Sequence, residues 1–525
     1  MDEKSTPHGV TTHTRDLPVS RGWGRRGIAA LAATTATLGG VVMTAGPAAA
    51  APLGYDVNAK GSLFHIAQAV GAHDSYRAGF TGRGVGVALI DTGVTEVPGL
   101  DTGNVVDGPD LSFDSQDPEL AHRDAYGHGT HLASIIAGRD VAGTPASYTD
   151  PSRFSGIAPD ATLLDVKVGA SDGAVDVTQV IAAIDWVVEH RNDNGMNIRV
   201  INLSYGTDST QDTRVDPLSY AVEQAWKAGI VVVVAGGNDG STNLNLANPA
   251  QDPYVLAVGA ADTQGTLNAV DDTVPSWGTR GTNQRHVDVV APGVSVTGLR
   301  VPSGYADERN PGARRGDRFA VASGTSQAAA VVSGEVALLL QEEPRLTPDQ
   351  VKRQIMSTST AFSSTTNQYR GNGLTNVRQA QVKSNNTSTQ SAQFWSTGTG
   401  SVEAARGSSH VERDGVPLQG EVDVFGNAWD GRAWATASGR QTAWEGGRWR
   451  GVLFSGDGWD GSTWRTAEWT AVAWDGRQWR DADWSGRQWR DGSWTGISWN
   501  GRQWRDANWS GRQWRTADLA GAAWS

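Results

Sequence analysis

Residues 84–91 read GVGVALID, an almost unbroken apolar run that ends on an acid. Its length suits a strand, and the lack of polar alternation means that both faces are to be buried. The same texture returns in ATLLDVKV (161–168), RVINLS (199–204) and GIVVVVAGG (229–237). Helical stretches lie between these runs: HLASIIAG (131–138), VTQVIAAIDWVVEH (177–190) and PLSYAVEQAWKAG (217–229). Buried strands alternating with helices predict an α/β fold, a doubly wound and mostly parallel sheet with helices on both faces. Ligands of such sheets lie beyond the carboxyl ends of the strands. Asp91 closes the first strand and Asn238 stands just past another, so both fall where chemistry is expected.

The chain has 525 residues, room for two to four domains, and a net charge of −12. A phosphate backbone needs a basic face, so nucleic acid is not the expected partner. There is no cysteine, which excludes disulfides, zinc–thiolate sites and a cysteine nucleophile. Residues 1–50 read as an export signal. Arg21, Arg25 and Arg26 precede IAALAATTATLGGVVMTAG (28–46), and PAAAAP (47–52) supplies a small-residue cleavage site, expected after Ala50. The Arg25–Arg26 pair matches twin-arginine export in itself, but the residues flanking it fit that signal poorly. The run is too rich in Ala, Thr and Gly for a good anchor, and no later segment is apolar enough to span a bilayer in the mature protein. The expected place is secreted or associated with the cell envelope.

Composition shifts near residue 383. SNNTSTQSAQFWSTGTGS (384–401) is polar and aperiodic, so 383–410 reads as a linker. Beyond it, from Trp429 to Trp524, tryptophan recurs on a grid of five residues, with Gly439, Phe454 and Leu519 at the skipped positions. The fuller unit is ten residues, as in WDGRQWRDAD (474–483) and WNGRQWRDAN (499–508). Such units suit short strands and tight turns, so 411–525 is expected to be a smaller all-β Trp-repeat module. ADWSG (482–486) and ADLAG (517–521) resemble pentapeptide-solenoid units, but the alternating RQWRD puts Arg where a small inward residue belongs. Two uses stay open. The rings stack under arginines in place of a conventional core, or they are exposed and dock sugars or cell-wall polymer.

Three stretches carry candidate chemistry. LIDTG at Asp91 has a second D-T-G at Asp101, but loops ten residues apart cannot come from the two lobes of an aspartic protease. GHGTH (127–131) offers His128 and His131 without the glutamate of a zinc H-E-x-x-H helix. In SGTSQAAAVVSG (323–334), Ser326 reads either as the cap of an alanine-rich helix or as a nucleophile.

Taken together, Asp91, His128 and Ser326 follow the order Asp, His, Ser. Residues 62–382 resemble the subtilisin-like (subtilase) serine peptidases. The matching stretches are ALIDTGV (88–94), GHGTHLASIIAG (127–138), INLSYG (201–206), VVVVAGGNDG (231–240), VVAPG (289–293) and SGTSQAAAVVSG. The resemblance implies that Ser326 attacks the scissile carbonyl, that His128 carries the proton and that Asp91 orients His128. It implies that Asn238 is an oxyanion donor beside the Ser326 backbone N–H. It makes His131 an ordinary helix residue. Ser204, Tyr205, Gly206, Ala235, Gly236 and Gly237 would line the cleft and pair with substrate backbone. Asp239 either favours a basic side chain at the pocket rim or is an exposed turn residue.

The chain departs from the family at Gln327, Ala330 and Val331, where Met and then Pro-His are usual. Only about ten residues separate the expected cleavage point from GSLFHIAQAVGAHDSYRAGFTGRG (61–84), too few for a folded inhibitory segment, and IAQAVGAHDSY (66–76) reads as the domain's N-terminal helix. No cofactor is expected for catalysis. Structural calcium is implied by the family alone, and no metal ligands are assigned. The reading is a secreted endopeptidase acting on protein or peptide substrates, with a tail that tethers or regulates it. The competing reading is an inactive protease-like scaffold that displays a wall-binding Trp module.

Overall fold

A computed structural model of the chain describes residues 53–240, 244–362, 366–383, 395–455, 464 and 467–471. The segment expected to be an export signal and the repeats after residue 471 lie outside the described residues.

Seven strands form one parallel sheet: β1 (Gly86–Asp91), β2 (Val105–Asp110), β3 (Thr162–Lys167), β4 (Ile198–Leu203), β5 (Val231–Ala235), β6 (Leu256–Ala261) and β7 (Val289–Pro292). Their order is β2-β3-β1-β4-β5-β6-β7. The chain starts in the middle at β1, builds outward to one side, then crosses to β4 on the other. The order therefore reverses between β1 and β4, and a crevice opens there past the strand ends. Every residue of β1, β5 and β6 is buried, as their apolar runs require.

The helices are α1 (Leu63–Ala69), α2 (Ala72–Arg77), α3 (His128–Ala137), α4 (Val177–His190), α5 (Pro217–Lys227), α6 (Tyr305–Arg309), α7 (Thr325–Glu342), α8 (Pro348–Thr358), α9 (Asn367–Arg370) and α10 (Val377–Val382). α3 packs with α7 on one face of the sheet and α4 with α5 on the other. Local chemistry starts them cleanly. Asp176 and Gln179 form a reciprocal capping box on α4, and Asp216 caps α5 with Pro217 at its first position. The stretch 66–76 is two helices, not one. Gly71 is left-handed with φ 75°, and a Cβ there would lie 2.5 Å from Asn376 Oδ1. A small antiparallel sheet of β8 (Val296–Leu299), β9 (Arg314–Arg315) and β10 (Phe319–Ala322) delivers the chain to α7.

The C-terminal part carries α11 (Val402–Arg406), β11 (Val411–Arg413), β12 (Val416–Pro417), α12 (Gly431–Gly439), β13 (Trp444–Glu445), β14 (Arg448–Trp449), β15 (Val452–Leu453) and β16 (Trp469–Ala471). Its strands make two three-stranded antiparallel sheets, β12-β11-β16 and β13-β14-β15. The helix α12 is an addition that the Gly-rich units do not announce. The five-residue grid has a plain meaning: Trp429, Trp434, Trp444, Trp449, Phe454 and Trp464 are all buried. Arg450 lies over Trp429 and Trp449, with its guanidinium 4.6 and 5.6 Å from the ring centres.

These rings close the outer side of α4 and α5. Trp434 and Trp449 both donate their indole N–H to Asp185 Oδ2, at 2.8 and 3.0 Å, and Ser438 donates to Oδ1 at 2.6 Å. Trp444 donates to the Ala182 carbonyl at 2.9 Å. Arg406 meets Asp176 at 2.6 Å with both side chains fully buried. Packing begins inside the segment whose composition predicts a linker: the Ser396 N–H donates to Glu223 at 2.7 Å.

Candidate active site

Asp91 ends β1, at the reversal of strand order, and is fully buried. Its Oδ1 accepts from the Thr92 N–H at 2.8 Å and lies 2.7 Å from His128 Nδ1. His128 opens α3 behind the left-handed Gly127, whose φ is 105°. The next residue must also be glycine. A Cβ on Gly129 would sit 2.1 Å from the Gly93 carbonyl, so α3 is pressed onto the loop that follows β1. His131 lies in the next turn, where burial and the neighbouring His128 push its pKa down to about 3, so it is neutral.

Ser326 stands in the first turn of α7, buried, under a Gly324 cap that supplies no side chain. Its backbone carbonyl lies 3.5 Å from Ser204 Oγ. Asn202 ties this corner together, donating to Ser204 Oγ at 3.2 Å and accepting from Ser333 Oγ at 2.9 Å. Asn238 Oδ1 accepts from both the Thr325 N–H and its hydroxyl, each at 3.0 Å. The carbonyl end of that amide is thereby fixed, which turns its N–H₂ end away from Thr325. Gly237, left-handed at φ 110°, lets the loop after β5 make this approach.

Ser204–Gly206 follows β4 and Ala235–Gly237 starts on the last residue of β5; the two strands are hydrogen-bonded neighbours with Leu203 opposite Val234. Two backbone segments thus lie side by side past the strand ends. Tyr205 is buried, and Gly206 and Gly236 are close-packed: an added Cβ would lie 2.6 Å from Ala247 Cβ and 2.7 Å from Val287 Cγ1, respectively. Of the positions that depart from the family, Ala330 and Val331 are buried and α7 runs unbroken through them. Gln327 is fully buried, and neither atom of its side-chain amide meets a hydrogen-bond partner among the described residues.

Three neighbours escaped the motif reading. Thr92 follows Asp91, Asp124 precedes α3, and Lys167 ends β3 opposite Asp91. The Lys167 ammonium donates to the carbonyls of Thr92 and Gly169 at 2.9 and 2.8 Å and pairs with Asp114 at 3.1 Å. Burial works against that charge, but Asp114, Asp110 and Asp124 outweigh it and hold the pKa above its ordinary value. Asp124 was findable, since an acid just ahead of a helix start is a capping signal. Among the described residues no cluster of three or more His, Asp or Glu side chains is placed to hold a metal ion, so the calcium implied by the family gains no side-chain site.

The profile of the Subtilase family matches residues 82–392. The chain belongs to that family. It is 38% identical over 278 residues to serine protease AprX of Bacillus subtilis, covering 52% of this chain and 60% of AprX. It is 34% identical over 313 residues to subtilisin BL of Lederbergia lenta, covering 60% of this chain and 95% of that subtilisin. The chain is therefore a subtilisin-like serine endopeptidase, a hydrolase.

Proposed function

We propose that this subtilase is an exported endopeptidase that cleaves protein or peptide substrates through an acyl-enzyme, with Asp91, His128 and Ser326 as its triad. The observation that carries the reading is the buried 2.7 Å contact between His128 Nδ1 and Asp91, at the strand-order reversal. Bound this way, His128 keeps its other ring nitrogen for proton exchange with Ser326. Ser326 would add to the carbonyl carbon while His128 takes its proton. The oxyanion would be met by the Asn238 amide and the Ser326 N–H, at the positive end of α7. His128 would then protonate the leaving amine, and water would release the acyl group. Substrate would lie as an added strand along Ser204–Gly206 and Ala235–Gly237.

For the tail, the buried rings favour a structural role over a binding one. Trp429, Trp434, Trp444, Trp449 and Trp464 are buried among α4, α5 and one another, which supports a clamp on the peptidase domain and leaves those rings little surface for sugar. A fluorophosphonate probe tests the catalytic reading. The full-length protein should be labelled, and Ser326→Ala should lose labelling together with peptidase activity, on the order of 10⁶-fold in turnover. A folded wild type that is never labelled would instead favour the inactive-scaffold reading.

A further inference from the structure

Four residues ahead of His128 lies Asp124, a fully buried carboxylate that the chemistry above does not use. Donors from three residues converge on it. Oδ1 accepts from the Thr92 hydroxyl at 2.8 Å and the Gly127 N–H at 2.6 Å, and Oδ2 accepts from the Thr130 N–H at 2.7 Å. A group met only by donors is one built to stay ionised. Burial is the largest influence and leaves this carboxyl above its ordinary value, although the Gly127 and Thr130 donors and Lys167 pull it back.

Each donor belongs to a segment that holds a triad member. Thr92 directly follows Asp91, and Gly127 and Thr130 bracket His128. Thr92 is the junction: its N–H donates to Asp91 at 2.8 Å, its hydroxyl donates to Asp124, and its Oγ1 accepts the Gly129 N–H at 2.9 Å. The two loops are also stitched from behind. The Asp124 N–H donates to Thr95 Oγ1 at 3.1 Å, and the Thr95 N–H donates to Thr130 Oγ1 at 2.9 Å. An acid that merely capped α3 would need only the two backbone donors. The Thr92 hydroxyl is the added element, and it joins the cap to the loop that carries Asp91.

We propose that Asp124 is a positioning residue of the active site: its carboxylate locks the loop after β1 onto the first turn of α3 and so sets how His128 meets Asp91. This inference rests on the triad reading. The charged or titratable groups around the pair are Asp91 on β1, Lys167 on β3 and His131 on α3, with Asp114 and Asp110 behind Lys167.

Asp124→Asn tests it in the full-length protein. An amide can still accept from Thr92 and Gly127, but its N–H₂ would face the Thr130 N–H, donor against donor. Misplacing a catalytic group by a fraction of an ångström to 1 Å costs up to about 10²-fold. We expect kcat to fall by roughly tenfold to 10²-fold with KM within about twofold. Fluorophosphonate labelling should slow in parallel. The acid limb of kcat/KM should move toward lower pH, because a buried negative charge beside the imidazolium is gone. Thr92→Val should fall in the same direction, and Thr92→Ser, which restores the hydroxyl, should recover most of the loss. Wild-type kcat in a folded Asp124→Asn overturns the proposal. So does a loss that only follows a lower melting temperature, with the acid limb unmoved. If Asp124→Asn does not fold, the Thr92→Val and Thr92→Ser pair decides by the same criteria. An unlabelled wild type sinks the triad reading itself, whereas an active wild type beside an unaffected Asp124→Asn sinks this inference alone.

Discussion

Each face of the parallel sheet is held by a fully buried carboxylate, and the two keep opposite company. On the α3/α7 face, Asp124 is met by a hydroxyl and two backbone N–H groups from within about thirty residues of chain. On the α4/α5 face, Asp185 is met by Trp434, Ser438 and Trp449, about 250 residues away. The first arrangement is local and serves a reactive geometry. The second is remote and makes the outer side of two helices depend on a segment beyond the peptidase domain. A subtilisin-like core is therefore not a sufficient description of where this chain's stability resides.

The hardest way to break the comparison is to remove the remote partner. A protein ending at residue 383 would leave Asp176, Asp185 and Glu223 without Arg406, the two indoles and the Ser396 N–H. Stripping one partner from a single buried pair already costs about 3–5 kcal/mol, which is a large part of an ordinary domain's stability. The shortened protein is expected not to fold cooperatively, as read by circular dichroism and limited proteolysis. If it melts as the full chain does and still takes the fluorophosphonate probe, the clamp reading is wrong and the tail is an appendage.

A gentler change sharpens the same contrast through pH. Burial raises the Asp185 carboxyl to about 6, against the pull of Ser438, Trp434 and Trp449 and with a further push from Glu189. In the unfolded chain it titrates near 3.9. Between these values the folded state binds more protons, so this residue's contribution to stability is full below about pH 4 and declines as pH rises through about 6. Asp185→Asn keeps an oxygen for both indoles and can donate to Ser438 Oγ. Its melting temperature should therefore vary less than the wild type's between about pH 4 and pH 6. Equal slopes in the two proteins would show that Asp185 does not titrate in that window.

Why one face was legible in the sequence and the other was not follows from the same difference. Strands such as 231–235 announce themselves because burial on both sides demands an apolar run. Asp91, His128, Asn238 and Ser326 each sit in a short motif whose glycines have local reasons, such as Gly129 against the Gly93 carbonyl. The five-residue spacing of the tail showed that its rings recur regularly, but not whether they are buried or what they face. Their destination is Asp185 and Ala182 on α4, and nothing near either residue marks it as a receptor for indole N–H groups. The packing of Ser396 onto Glu223 was hidden for a related reason: a polar, aperiodic stretch looks like a linker whether or not its backbone is received by a carboxylate.

The smallest effect concerns the one mismatch beside the nucleophile. Gln327 is as buried as Ser326, yet its amide meets no hydrogen-bond partner among the described residues, whereas both oxygens of Asp185 are matched. An unsatisfied buried amide costs about 1–3 kcal/mol. Methionine has a similar length and volume and no hydrogen bond to lose, so Gln327→Met should raise stability by about 1 kcal/mol or more in thermal or urea unfolding. Turnover should change far less than for Asp124→Asn, because Gln327 bridges no two segments of the site. A stabilised variant with unchanged kcat would place the mismatch among defects that a working site tolerates. A destabilised variant would mean that the amide has a partner, and that α7 relies on it to hold Ser326 in place.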